Sequence, residues 1–154
     1  MRDDVLGFMD ALDLRRAALV GHSMGGMVAY LVAAERPDLL EHLVLEETPA
    51  PLPSNPPRTV PDRPEHSPFD WAVVEAVSAQ RNRPDPTWWE RLAQLPVPVL
   101  VVAGGQASHL PQEEQRALAE RFPAARLVTI DAGHLVHETR PGTFTAVVTR
   151  FLDG

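Results

Sequence analysis

Residues 21–25 read Gly-His-Ser-Met-Gly, a serine set between small residues where one apolar run ends and another begins. A G-x-S-x-G sequence on a sharp strand-to-helix turn can present its hydroxyl as a nucleophile. A serine attacks only with help: a histidine takes its proton, and a carboxylate orients that histidine. Candidates for both partners exist. Glu46 and Glu47 follow the apolar run Leu43-Val44-Leu45, and Asp131, His134 and His137 follow a run that ends at Ile130. The plain alternative for Ser23 is a helix cap followed by a glycine-rich first turn.

These groups work together only if the fold gathers them. Residues 3–12 carry Val5, Met9 and Leu12 at helical spacing. Ala17–Val20 reads as a short buried strand, and residues 24–35 read as a helix with Met27, Val28, Leu31 and Val32 on one face. Leu43–Leu45 is a second strand and Pro98–Ala103 a third. Leu127–Ile130 is a fourth. Residues 69–80 and 86–95 read as helices. So do residues 111–122, with Pro111 at the first helical position. The last helix begins at Pro141 and sets Phe144, Val147, Val148 and Phe151 on one face. Strands that alternate with helices predict an α/β fold, a mainly parallel sheet of about four strands with flanking helices. In such sheets functional groups collect beyond the carboxyl ends of the strands. Ser23, Glu46, Glu47, His109, His134 and His137 all stand there. The turn also puts Ser23 at a helix amino end, where the backbone N–H of Met24 can face a developing oxyanion.

From the nucleophile turn onward the chain resembles the α/β-hydrolase family. "LVGHSMGG" looks like its nucleophile elbow, "PVPVLVVAGG" like the strand before its usual acid loop, and "RLVTIDAGHLVHETRP" like its last strand and histidine loop. The resemblance runs from about residue 3 to the end and keeps the family's chain order of serine, acid and histidine. It implies that Ser23 is the nucleophile and His134 the general base. His137, three residues on, and His22, whose side chain alternation turns away from that of Ser23, read as structural. The resemblance also implies three segments: 1–48 and 96–154 as parts of the hydrolase core, and 49–95 as a proline-rich loop with a short helical cap.

Two departures from the family pattern shape the expectations. The loop after the third strand, Gly104 to Leu110, has no carboxylate where the family usually carries its acid. Haloalkane dehalogenases and some other members resemble this chain in placing the acid after the preceding strand. That leaves Glu47, which matches the usual position better, and Glu46 as the alternative acid; a third reading makes both strand-end surface charges. The family's strands before the helix that precedes the nucleophile strand have no counterpart, so the fold reads as a partial α/β-hydrolase. The chain then reads as a portion of a longer protein, a chain that pairs its open edge at residues 17–20 with another copy, or a degenerate hydrolase. In the cap, Trp71, Trp88 and Trp89 either line an apolar substrate pocket or anchor the lid.

Composition narrows the function. The formal net charge is −7, which argues against nucleic acid and anionic membrane as main partners. There is no cysteine, so disulfides, thiolate metal sites and cysteine nucleophiles are excluded. Six histidines are scattered without a metal-ligand spacing, and the reading carries no metal and no cofactor. No apolar run suits a membrane span and no signal peptide is evident, so the default location is the cytoplasm. A serine nucleophile disfavours dehalogenation and epoxide opening, which need an aspartate. The expectation is an esterase-like serine hydrolase acting on a small carboxylic ester or related acyl compound through a Ser-Glu-His triad. The alternative is a hydrolase-like module without catalysis, docking through its open sheet edge.

Overall fold

Apolar periodicity and proline punctuation divide the chain as the pattern predicts, and the computed structural model describes residues 1–53, 56–57 and 59–154. The elements are α1 (Arg2–Ala11), β1 (Ala17–His22), α2 (Met24–Glu35), a 3₁₀ turn (Pro37–Leu39), β2 (Leu40–Glu46), α3 (Ala72–Asn82), α4 (Pro86–Leu92), β3 (Val99–Ala103), α5 (Gln112–Arg121), β4 (Ala125–Thr129), α6 (Val136–Thr139) and α7 (Pro141–Leu152). Two compact units result. One comprises Met1–Ala50 with Arg91–Gly154, and the other Pro51–Glu90.

The first unit is built on a four-stranded parallel sheet in the order β1-β2-β3-β4. Sequential order with parallel pairing sends the β1–β2 and β3–β4 crossovers over the same face, because such connections are right-handed. α2 accordingly packs on β1 and β2, and α5 on β3 and β4, while α1 packs on α2. The opposite face belongs to α7. Val44, Leu100 and Val102 cluster there with Ile130, Val136, Val148 and Phe151, and Phe144 and Val147 pack against them. Those four residues of α7 are the ones whose spacing predicted its buried face. Leu43, Leu45, Val99 and Val101 alternate with that set and are fully buried on the other side. β2 and β3 are therefore apolar on both faces, the mark of a covered parallel sheet.

β1 differs. It is an edge strand, and Val20 stays 48% exposed. An open groove of about 450 Å³ runs beside it, with Val5, Leu19, Val20 and Val28 in its walls.

The structure shifts several expected boundaries. β2 begins at Leu40, three residues before the apolar run, because Glu41 and His42 sit within the strand and break its hydrophobic pattern without breaking its pairing. Pro111 caps α5 instead of opening it. The one-sided face expected for α2 is too narrow: Gly26, Ala29, Tyr30 and Ala33 are buried along with Met27 and Val32. This helix lies between the sheet and α1, so it needs apolar or small residues most of the way round.

The second unit holds α3 and the start of α4. Its described prolines lie outside regular elements except Pro86, which opens α4. Trp71 stacks on Phe69 with ring centroids 6.0 Å apart, and Trp71, Trp88 and Trp89 are all half-buried.

Candidate active site

Ser23 stands between β1 and α2 with φ 53° and ψ −118°. A non-glycine residue at positive φ is strained, and such strain persists only where the surroundings enforce it. The enforcement is visible. The Ser23 N–H is tied to the Glu46 carbonyl at 2.9 Å, and the Ser23 carbonyl accepts from Gly26 N–H at 3.1 Å. The side chain makes no capping bond to the helix, unlike an ordinary N-cap serine.

Glycine is required on either side of Ser23. A Cβ on Gly21 would lie 2.6 Å from the Gly25 carbonyl oxygen, a backbone atom that cannot move aside. A Cβ on Gly25 itself would point into open space, so it is the backbone of Gly25 and not its missing side chain that the strand packs against. The second tight position is Gly26, where a Cβ would overlap the buried Thr48 side chain.

The end of β2 supplies both carboxylates, and the chain sends them to different neighbours. Glu46 is the last strand residue, paired with His22 of β1 and Val102 of β3. Glu47 is one residue further, at φ 46°, with its N–H on the Val102 carbonyl at 2.9 Å. Both side chains are buried, 2% and 0% exposed. A buried carboxylate needs hydrogen-bond donors. Glu47 accepts from Gly104 N–H on Oε1, and from the Ser108 hydroxyl and His134 Nδ1 on Oε2, the last at 3.3 Å.

His134 lies in the loop after β4. Gly133 before it has φ 76°, and the N–H groups of Ala132 and Gly133 both reach the Gly104 carbonyl. The β3 and β4 loops are thus joined by backbone, and His134 is held over the end of β2. Its Nε2 lies 3.0 Å from Ser23 Oγ. Ser23, His134 and Glu47 form one hydrogen-bonded line. The oxygen of Glu47 accepts from Nδ1–H, so Nε2 carries the lone pair that faces the serine hydroxyl.

Glu46 does not touch His134. It takes the N–H and Nδ1 of His137, each at 2.9 Å. His22 donates from Nε2 to the His134 carbonyl at 2.9 Å. The ring of His109 lies 4.2 Å from that of His134. Met24 is the first residue of α2, where a backbone N–H has no helical partner one turn back. Trp71, Trp88 and Trp89 belong to the second unit. Ser108 stands among the polar residues after the third strand, but sequence reasoning gave it no role. Its signal was available: a hydroxyl in the acid loop, where a carboxylate held at the neighbouring strand end needs a donor.

A family model described as "Alpha/beta hydrolase family" matches residues 1–147. The chain is 26% identical to an sn-1-specific diacylglycerol lipase, ABHD11, of Mus musculus, over 99% of this chain and 64% of that protein. It is 24% identical to the esterase YbfF of Escherichia coli, over 99% of this chain and 74% of that one. A crystal structure of a hydrolase from Pseudomonas aeruginosa superposes with a TM-score of 0.74 at 27% identity, covering 99% of this chain and 71% of the other. The chain thus spans less than two thirds of the length of the mouse lipase. Among the described residues no helix is long and apolar enough to cross a membrane. The chain belongs to the α/β-hydrolase family.

Proposed function

We propose that this chain carries the catalytic centre of a serine hydrolase that cleaves a carboxylic ester or a related small acyl compound. The observation that carries the reading is the line Ser23 Oγ, His134 Nε2, His134 Nδ1, Glu47 Oε2, at 3.0 and 3.3 Å. Its chemistry follows from the donors and acceptors. His134 Nε2 takes the hydroxyl proton as Ser23 Oγ attacks the acyl carbon. The oxyanion that forms is met by the Met24 N–H at the amino end of α2. His134 then gives the proton to the leaving alkoxide, and the C–O bond breaks. Water, deprotonated by the same nitrogen, frees the acid from the acyl-serine. Glu47 holds the imidazole with Nε2 unprotonated at rest and balances its charge when it becomes imidazolium. The kinship with a lipase and an esterase supports the acyl substrate class.

The test joins hydrolysis of a short-chain chromogenic ester with labelling by an organophosphorus fluoride. Turnover and labelling should both occur, and Ser23→Ala should remove both, cutting turnover by on the order of 10⁴-fold or more while leaving the fold intact. Full turnover by the alanine variant would refute the assignment. Labelling without turnover would favour the second reading, a hydrolase-like module that does not catalyse. The exposed β1 edge, with Val20 48% open, is the feature that supports that reading.

A further inference from the structure

Behind the Ser23–His134 pair lies a second group of titratable side chains that the reaction does not use. His22 ends β1, Glu46 ends β2, and His137 lies in α6. His22 and Glu46 are register partners on adjacent strands, so their side chains project to the same face. His137 closes over them with its ring 5.1 Å from that of His22. One ligand atom of each residue lies within 4.8 Å of the others.

We propose that His22, Glu46 and His137 bind a divalent metal ion of the zinc class. Two imidazoles and one carboxylate are a ligand set that such ions accept, with a fourth position left for water. Three features prepare the site. The His22 Nε2–H is committed to the His134 carbonyl, which leaves Nδ1 as the lone-pair nitrogen. A metal-bound histidine normally gives its other N–H to a carbonyl in this way. The Glu46 carboxylate is 2% exposed and one oxygen is held by the backbone N–H of His137, so it is oriented before any ion arrives. Access exists as well, since the His137 side chain is 38% exposed and Val20, on the same face of β1, is 48% exposed. Zinc bonds of about 2.0–2.1 Å put tetrahedral ligands roughly 3.3 Å apart, so from separations of up to 4.8 Å the group would contract by at most about 1.5 Å. The three ligands come from three elements far apart in sequence, which is why no ligand spacing shows in the chain.

The inference stands apart from the hydrolytic reading, because Ser23 is no ligand. The test titrates the tag-free chain with Zn²⁺ by calorimetry and with Co²⁺ by visible absorption. One ion per chain and the intense absorption of four- or five-coordinate cobalt are expected. His137→Ala and Glu46→Gln should each weaken binding about tenfold or more. Ser23→Ala and His109→Ala should bind as the unaltered chain does. Absence of saturable binding, or a six-coordinate cobalt spectrum, would overturn the proposal. So would a loss caused by His109→Ala in place of His137→Ala, since that would put the ion at the His109–His134 pair. Should either ligand variant fail to fold, the cobalt spectrum of the unaltered chain still decides.

Discussion

Glu47 with His134 and Glu46 with His137 are two carboxylate–histidine pairs built from adjacent residues of one strand end and from histidines three apart, His134 in the loop after β4 and His137 in α6. Both carboxylates are buried and both pairs are hydrogen-bonded. Burial and pairing therefore do not separate the two carboxylates. Direction does. Glu46 still belongs to the pleat and follows His22 onto the face covered by α7. Glu47 lies beyond the last paired residue, and its left-handed backbone turns it toward Gly104, Ser108 and His134. Only His134 reaches the serine hydroxyl, because only it has its second nitrogen 3.0 Å from Oγ. One strand end thus supports two carboxylate–histidine pairs that need not share a role.

The largest test of that difference is Glu47→Gln. The amide cannot balance an imidazolium, and turnover should fall on the order of 10⁴-fold, measured as ester hydrolysis per labelled serine. Glu46→Gln should cost roughly tenfold or less. Equal losses in the two variants would erase the distinction. Its main cost should appear in stability: losing the charge on a buried, hydrogen-bonded carboxylate is worth about 1–3 kcal/mol, read by urea denaturation. Ser108→Ala sharpens the comparison from the other side. It removes one of the three donors to Glu47, and a loss of about 1–2 kcal/mol with lower turnover is expected. Unchanged turnover and stability would mean that the hydroxyl plays no part in holding the acid. The smallest effect belongs to an exposed surface pair. The Arg16 guanidinium at 2.7 Å holds the Glu41 carboxyl below its ordinary range. A depressed carboxylate stabilises above the ordinary carboxylate pKa and stops doing so as the pH falls through the lowered value. Exposure and salt screen this pair. Glu41→Gln should therefore shift the melting temperature slightly at low salt, and not at all at high salt.

The alternation of strands and helices was legible because a covered parallel sheet writes continuous apolar runs, and amphipathic helices write a 3.6-residue period. β3 is the clearest case, with five buried residues in succession from Val99 to Ala103. The Ser23 turn was legible because a strained backbone beside a close strand–helix contact leaves few choices but glycine at position 21. Boundaries were less so. Polar residues inside a paired strand, such as Glu41, cost nothing when their face is solvated, and they hide the strand's true start.

What the chain determined by itself is local: the element order, the elbow, and the set of side chains placed beyond the strand ends. Which of those side chains meet was decided only by the tertiary structure. Glu46 and Glu47 are the same residue type, one step apart, and nothing local distinguishes their ultimate partners. The choice depends on strand register, on the positive φ of Glu47, and on the backbone bonds that dock the β4 loop on Gly104. Each of these depends on segments more than twenty residues away, so no local spacing within the sequence can encode it. The grouping of His22 with Glu46 and His137 has the same origin.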